Sequence, residues 1–210
     1  MSTPSGGVGG APVFTGLYLR QKVTLIANKY WVHGMYDGTT QGPVIAFAEQ
    51  KKMKLREEVT FFDGEAKAQV LFSFKSRQII DMAATTDVFD NAGATIGVFR
   101  KDAMKSLINS TWHLEAAGVA ATGRERSQGV AVIRRVGGFV PVVGDLLEAI
   151  PWQFHFDFYD ASGSLVMSSE RQRKLRDQYL ITLPPIGTGA PLDWRVAAAV
   201  GVALDAFQGR

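Results

Sequence analysis

The sequence predicts a mainly β fold: a closed antiparallel barrel of roughly twelve strands around a buried hydrophobic C-terminal helix. Three observations predict it. Between Arg195 and Asp205 the nine residues Val196 to Leu204 carry no polar side chain, so a helix there is apolar on every face and must be surrounded. From Gly16 onward, short runs rich in Val, Ile, Phe, Tyr and Thr alternate with Asp, Gly and Asn turns, at the roughly eight- to twelve-residue spacing of an all-β domain. Finally, three segments repeat one plan.

Taken in order, the predicted strands are Leu17 to Ile26, Tyr30 to Tyr36, Val44 to Ala48, Glu57 to Phe62, Val70 to Phe74, Gln78 to Met82 and Thr86 to Phe89. They continue with Thr95 to Phe99, Ser110 to Leu114, Val130 to Val136, Trp152 to Tyr159, Leu165 to Ser169 and Arg176 to Leu183. Alternation is clearest after Trp152, where Trp152, Phe154, Phe156 and Phe158 share one face and Gln153, His155 and Asp157 the other.

The repeated segments are Tyr30 to Phe62, Thr86 to Leu114 and Phe154 to Leu183. Each reads as a strand, an Asp-to-Gly turn, a second strand, a basic stretch containing Leu, and a third strand. The turns are Asp37-Gly38, Asp90 with Gly93, and Asp160 with Gly163, residue types suited to left-handed and side-chain-bonded turn conformations. Between the second and third units, Glu115 to Ile150 reads as a polar loop (AAGVAATGRERSQG), a basic strand and the apolar GGFVPVVGDLLEAI. The last piece suggests a short helix over 144–150 that packs on the barrel; the alternatives are a lid or a lipid-touching loop.

The helix is expected over 192–208, with Pro191 at its entry and Asp193 capping its first free amides. A membrane span needs about 20 apolar residues, more than twice what this run offers. Its Ala and Gly residues make a thin rod, and about sixteen residues at 1.5 Å each match the height of a seven-residue strand at about 3.3 Å per residue. Residues 1–12 (MSTPSGGVGGAP) have neither the basic nor the apolar region of a signal peptide. The expected organisation is a flexible tail over 1–12 and a single domain over 13–208.

The hydrophobic fraction of 46% and a mean hydropathy of +0.02 suit a chain with a real core. Basic residues number 23 against 20 acidic, too even a balance for a nucleic-acid tail. No cysteine is present, which excludes a disulfide scaffold, thiolate catalysis and sulfur-ligated zinc, and fits a cytoplasmic interior.

His33, His113 and His155 stand in no HExxH or other metal-ligand spacing and read as strand-face or turn residues. No G-x-S-x-G elbow occurs; Asp160 to Ser164 is a hairpin turn. Gly187 to Leu192 lacks the third glycine of a phosphate cradle, Asp87 and Asp90-Asn91 lack calcium-loop spacing, and the Asn109-Ser-Thr sequon has no secretory signal before it. The reading therefore leans away from an enzyme, with no catalytic residue, no metal and no cofactor assigned. The candidate binding residues are basic. Lys51, Lys52, Lys54 and Arg56 match Arg171, Arg173, Lys174 and Arg176 in plan, and Lys101 with Lys105 are the middle unit's counterpart. Such a set can hold an anionic headgroup at about 1 kcal/mol per basic residue, although Glu57, Glu58, Glu170 and Asp177 offset part of that charge.

Four features taken together resemble a known superfamily. They are the opening LYLRQKVTLIANKYWV, the Asp-x-x-Gly hairpins followed by KLREE and KLRDQ, the segment VFDNAGATIGVFRK, and the apolar C-terminal helix. The chain is similar over about Val13 to Gln208 to the Tubby C-terminal-like superfamily, and within it to LURP-one-related and phospholipid scramblase-like proteins. The resemblance implies a twelve-stranded barrel around a hydrophobic helix. For function it implies phosphoinositide binding as in Tubby proteins, or membrane-lipid handling with proposed calcium binding as in scramblase-like members; no binding residue of those proteins is transferred to this chain. The expectation is peripheral binding of an anionic phospholipid or another phosphorylated ligand through the basic stretches, without nucleic acid or a transmembrane segment. The alternatives are a protein partner with no lipid role, and scramblase-like lipid handling.

Overall fold

A computed structural model describes residues 12–51, 58–77, 85–102, 111–126, 155–172, 178–187 and 189–208. Twelve strands form a closed barrel: β1 (Gly16–Val23), β2 (Ala27–Met35), β3 (Val44–Lys51), β4 (Glu58–Phe62), β5 (Val70–Ser76), β6 (Thr85–Asp90), β7 (Thr95–Lys101), β8 (Thr111–Ala116), β9 (Val119–Glu125), β10 (His155–Asp160), β11 (Leu165–Arg171) and β12 (Gln178–Thr182). Each pairs antiparallel with its neighbours in sequence, and β1 pairs with β12, Gly16 opposite Thr182, to close the ring. Closure leaves no unpaired edge.

Helix α1 (Trp194–Gln208) fills the barrel. Its apolar run is enclosed on every side: Val196, Ala197, Ala198, Ala199, Val200, Val202 and Ala203 have no exposed surface. A helix buried on all faces is what its unbroken apolar run demands. Asp193 Oδ1 accepts the Arg195 amide at 2.9 Å, the cap expected from the sequence. Trp194 plugs the entrance, edge-on to Phe14 at 5.8 Å and to Phe72 at 5.4 Å.

The repeat is real and larger than three strands. Register shifts fall between Val32 and His33, Val88 and Phe89, and Phe158 and Tyr159, at the same place in the β2–β3, β6–β7 and β10–β11 hairpins. Each bulge is followed by its turn, where the aspartate accepts two backbone amides: Asp37 from Thr39 and Thr40, Asp90 from Ala92 and Ala94, Asp160 from Ser162 and Ser164. Gly38, Gly93 and Gly163 take φ of 73°, 83° and 83°, a region glycine enters without steric cost. Adding β1, β5 and β9 makes the unit four strands, used three times.

Strand β9 corrects the sequence reading, which made 116–129 a polar loop. Its inward positions are Val119, Ala121, Gly123 and Glu125, and beyond Val119, which is only partly buried against the core, it brings no large apolar side chain inward. The space is taken from next door: a Cβ at Gly123 would stand 2.4 Å from the Phe158 ring on β10. The first strand also ends earlier than predicted, at Val23, and Leu25 and Ile26 form a turn. The predicted strands at Gln78 to Met82 and Val130 to Val136, and the helix over 144–150, lie outside the described residues.

Candidate functional site

An up-and-down barrel has two ends. Strands β1, β3, β5, β7, β9 and β11 all finish at one of them, and α1 finishes there too. Backbone bonds close the strand pairs at this end, from Thr24 to Ala27, Arg77 to Thr85, Asp102 to Thr111, Arg126 to His155 and Gln172 to Gln178. Lys51, Lys101 and Arg171 are the last residues of β3, β7 and β11. The fold therefore brings these three strand ends, after which the repeated basic stretches follow in sequence, to the same end, four strands apart around the ring. Lys52, Lys54, Arg56, Lys105, Arg173, Lys174 and Arg176 lie outside the described residues.

The connecting sequences at the two ends differ in charge. The segments that join strands at the α1 C-terminal end contain eleven basic and six acidic residues; those at the opposite end, counting the link into α1, contain one basic and four acidic. We refer to the former as the basic end.

Several charges there are already engaged. Arg126 donates from Nε and Nη2 to Asp157 at 2.7 and 2.6 Å, and from Nη1 to Glu170 at 2.6 Å. The bonds to Asp157 chiefly hold the guanidinium pKa above its ordinary value. Arg77 makes a two-pronged pair with Asp87 at 2.7 Å. Lys22 and Lys29 differ: they face each other across β1 and β2, and neither meets a carboxylate among the described residues. Beyond them, Thr24 to Ala27 closes the β1–β2 hairpin, with Leu25 98% and Ile26 82% exposed. Sequence reasoning missed this pair by absorbing both residues into a strand; the signal was a turn with no Gly, Asn, Asp or Pro.

Inside the basic end, the helix carboxylate Asp205 accepts hydrogen bonds from Tyr30 at 2.9 Å and from Gln21 and Tyr179. Burial first, then the Asp205 charge, raises the Tyr30 pKa well above 10.0. This network seals the barrel below the rim.

The histidines sit on strands, as expected: His33 on β2, His113 on β8 and His155 on β10. His113 Nε2 lies 3.5 Å from Asp102 Oδ2, beside a depression of about 400 Å³ on the outer wall lined by Glu115, Thr122, Arg124 and Tyr159. Among the described residues no group of three or more His, Asp or Glu side chains could hold a metal ion, and no helix is long and apolar enough to cross a membrane.

A family model described as LURP-one-related matches residues 44–205, from the first residue of β3 to the carboxylate at the end of α1. No curated protein matches the chain, and no solved structure does.

Proposed function

Because the chain belongs to the LURP-one-related family, with the Tubby-like barrel described above, we propose that it is a non-enzymatic binding protein whose basic end takes an anionic phospholipid headgroup or another phosphorylated ligand. The observation that carries this reading is the convergence of the strand ends at Lys51, Lys101 and Arg171 on one end of the barrel, together with the excess of basic residues in the segments that join strands there. The site is built from Lys51, Lys52, Lys54, Arg56, Lys101, Lys105, Arg171, Arg173, Lys174 and Arg176. Each basic residue close to a charged membrane adds about 1 kcal/mol, and salt weakens the attraction by shortening the screening length.

Sedimentation with phosphatidylserine-containing vesicles and with pure phosphatidylcholine vesicles, at low and high salt, tests the proposal. Binding is expected to the anionic vesicles alone, to fall as salt rises, and to weaken roughly a hundred-fold when Lys52, Lys54 and Arg56 are all changed to Gln. Equal binding to both vesicles, or none to either, removes the reading. A protein-binding role for the same end is favoured by the pairing of Arg77 and Arg126 with carboxylates, which leaves the surface mixed in sign. Vesicle binding absent alongside a dimer buried through the basic end would establish it.

A further inference from the structure

We propose that the tip of the β1–β2 hairpin, Leu25 and Ile26, is the element that enters the acyl boundary of an anionic bilayer. The inference rests on the lipid-binding reading above and names the part of the basic end that touches the membrane interior. A two-residue hairpin turn ordinarily carries Asn, Asp or Gly, which suit its backbone and solvent. Here both central residues are large aliphatics, and they are the most exposed large apolar side chains among the described residues. They add nothing to the core, whose β1 contribution is Leu17 and Leu19, both without exposed surface.

The tip is held rather than loose. Thr24 N donates to Ala27 O at 2.9 Å, Thr24 Oγ1 donates to the same oxygen at 2.7 Å, and Ala27 N donates to Thr24 Oγ1 at 3.1 Å. A preformed wedge loses little conformational freedom when it inserts.

The surface just behind the tip has the complementary chemistry. Lys22 and Lys29 stand directly opposite on the outer face, an arrangement that is unfavourable in isolation. On the other side of Lys29 stands Glu49, and its carboxylate is held by Lys67 at 3.1 Å. Lys22 and Leu25 are three positions apart, so at about 3.3 Å per residue the backbone that carries the lysines trails the tip by roughly 10 Å. That matches the roughly 5–10 Å depth to which apolar groups settle at the headgroup boundary. With Leu25 and Ile26 at that depth, the two lysines meet the phosphates, their stems lying along the hairpin.

The test uses the full chain with phosphatidylcholine vesicles with and without phosphatidylserine. Changing Leu25 and Ile26 together to Ser is expected to weaken binding to the anionic vesicles roughly a hundred-fold, from the apolar area no longer buried, while the salt dependence stays. In Leu25→Trp, emission is expected to shift to the blue on adding anionic vesicles and to be quenched by brominated acyl chains. If the unaltered protein binds anionic vesicles but the double variant binds equally and Leu25→Trp shows no shift, the tip stays in water: this inference fails and the basic-end reading survives. Emission already blue in buffer at every protein concentration would mean that the chain's own segment 137–150 covers the tip. A shift that appears with concentration and a doubled mass would mean a second copy does. Either outcome overturns the proposal. Failure of the unaltered protein to bind any vesicle overturns the parent reading as well.

Discussion

Tyr30, on the second strand, donates its phenolic hydrogen to Asp205, near the end of the helix, at 2.9 Å across 175 positions of sequence. A carboxylate at a helix C-terminus opposes the helix dipole, and this one is offset by donors from three strands: Gln21 on β1, Tyr30 on β2 and Tyr179 on β12. Those strands flank the seam where the ring closes. One polar contact thus joins the helix to the closure of the barrel, while Trp194 packs the opposite entrance.

Tyr30→Phe is expected to lower stability by about 1.5–3 kcal/mol, the worth of a hydrogen bond to a charged acceptor. It also changes the alkaline limb. The folded Tyr30 pKa lies above its unfolded value of 10.0, so its contribution is complete below pH 10 and is lost as pH rises through the folded value. Denaturant melts between pH 8 and 11 are expected to show a shallower decline above pH 10 in the variant. An unchanged decline would mean that other groups set the alkaline limit.

Gly123→Ala introduces a methyl group 2.4 Å from the Phe158 ring, and overpacking of this kind costs about 1–3 kcal/mol. Phe158→Leu frees the space. The double variant is expected to be more stable than the sum of the two single effects predicts, a favourable coupling measured by a double-mutant cycle. Strict additivity would mean that the ring does not hold β9 small.

Ala199→Asp puts a charge midway along the enclosed helix, where no partner reaches it. The cost of an unpaired buried carboxylate rivals the roughly 5–15 kcal/mol that holds a domain together. The variant is expected to be unfolded by circular dichroism, and Ala190→Asp, at an exposed position before the helix, to be folded. A folded Ala199→Asp with unchanged melting would mean that the helix is wetted.

In the repeated turns, backbone amides hold the Asp37 carboxylate below the ordinary 3.8, and the Ser162 hydroxyl with backbone amides does the same for Asp160. A depressed carboxylate contributes stability above the unfolded value and loses it as pH falls through the folded one. Changing both residues to Asn keeps an acceptor oxygen but removes the proton. Melting temperature is expected to fall less steeply below pH 4 in that variant than in the unaltered protein; parallel curves would exclude these turns as the acid-sensitive groups.

The barrel and its helix were legible because they follow from local rules. Nine apolar residues in a row cannot face water, and Asp-to-Gly turns at regular spacing mark hairpins whatever surrounds them. The equivalence of the strand ends at Lys51, Lys101 and Arg171 could be read for the same reason. Strand β9 was not legible: Ala121 and Gly123 carry no strand signal of their own, and the Phe158 ring that makes them fit is supplied by another strand. Nor could the sequence tell that Leu25 and Ile26 point into solvent, since a run such as VTLIA continues a strand as readily as it turns one. That the basic strand ends share one end with the helix carboxylate was decided only by closure of the ring, because the direction in which each strand runs is fixed by its pairing, not by its residues.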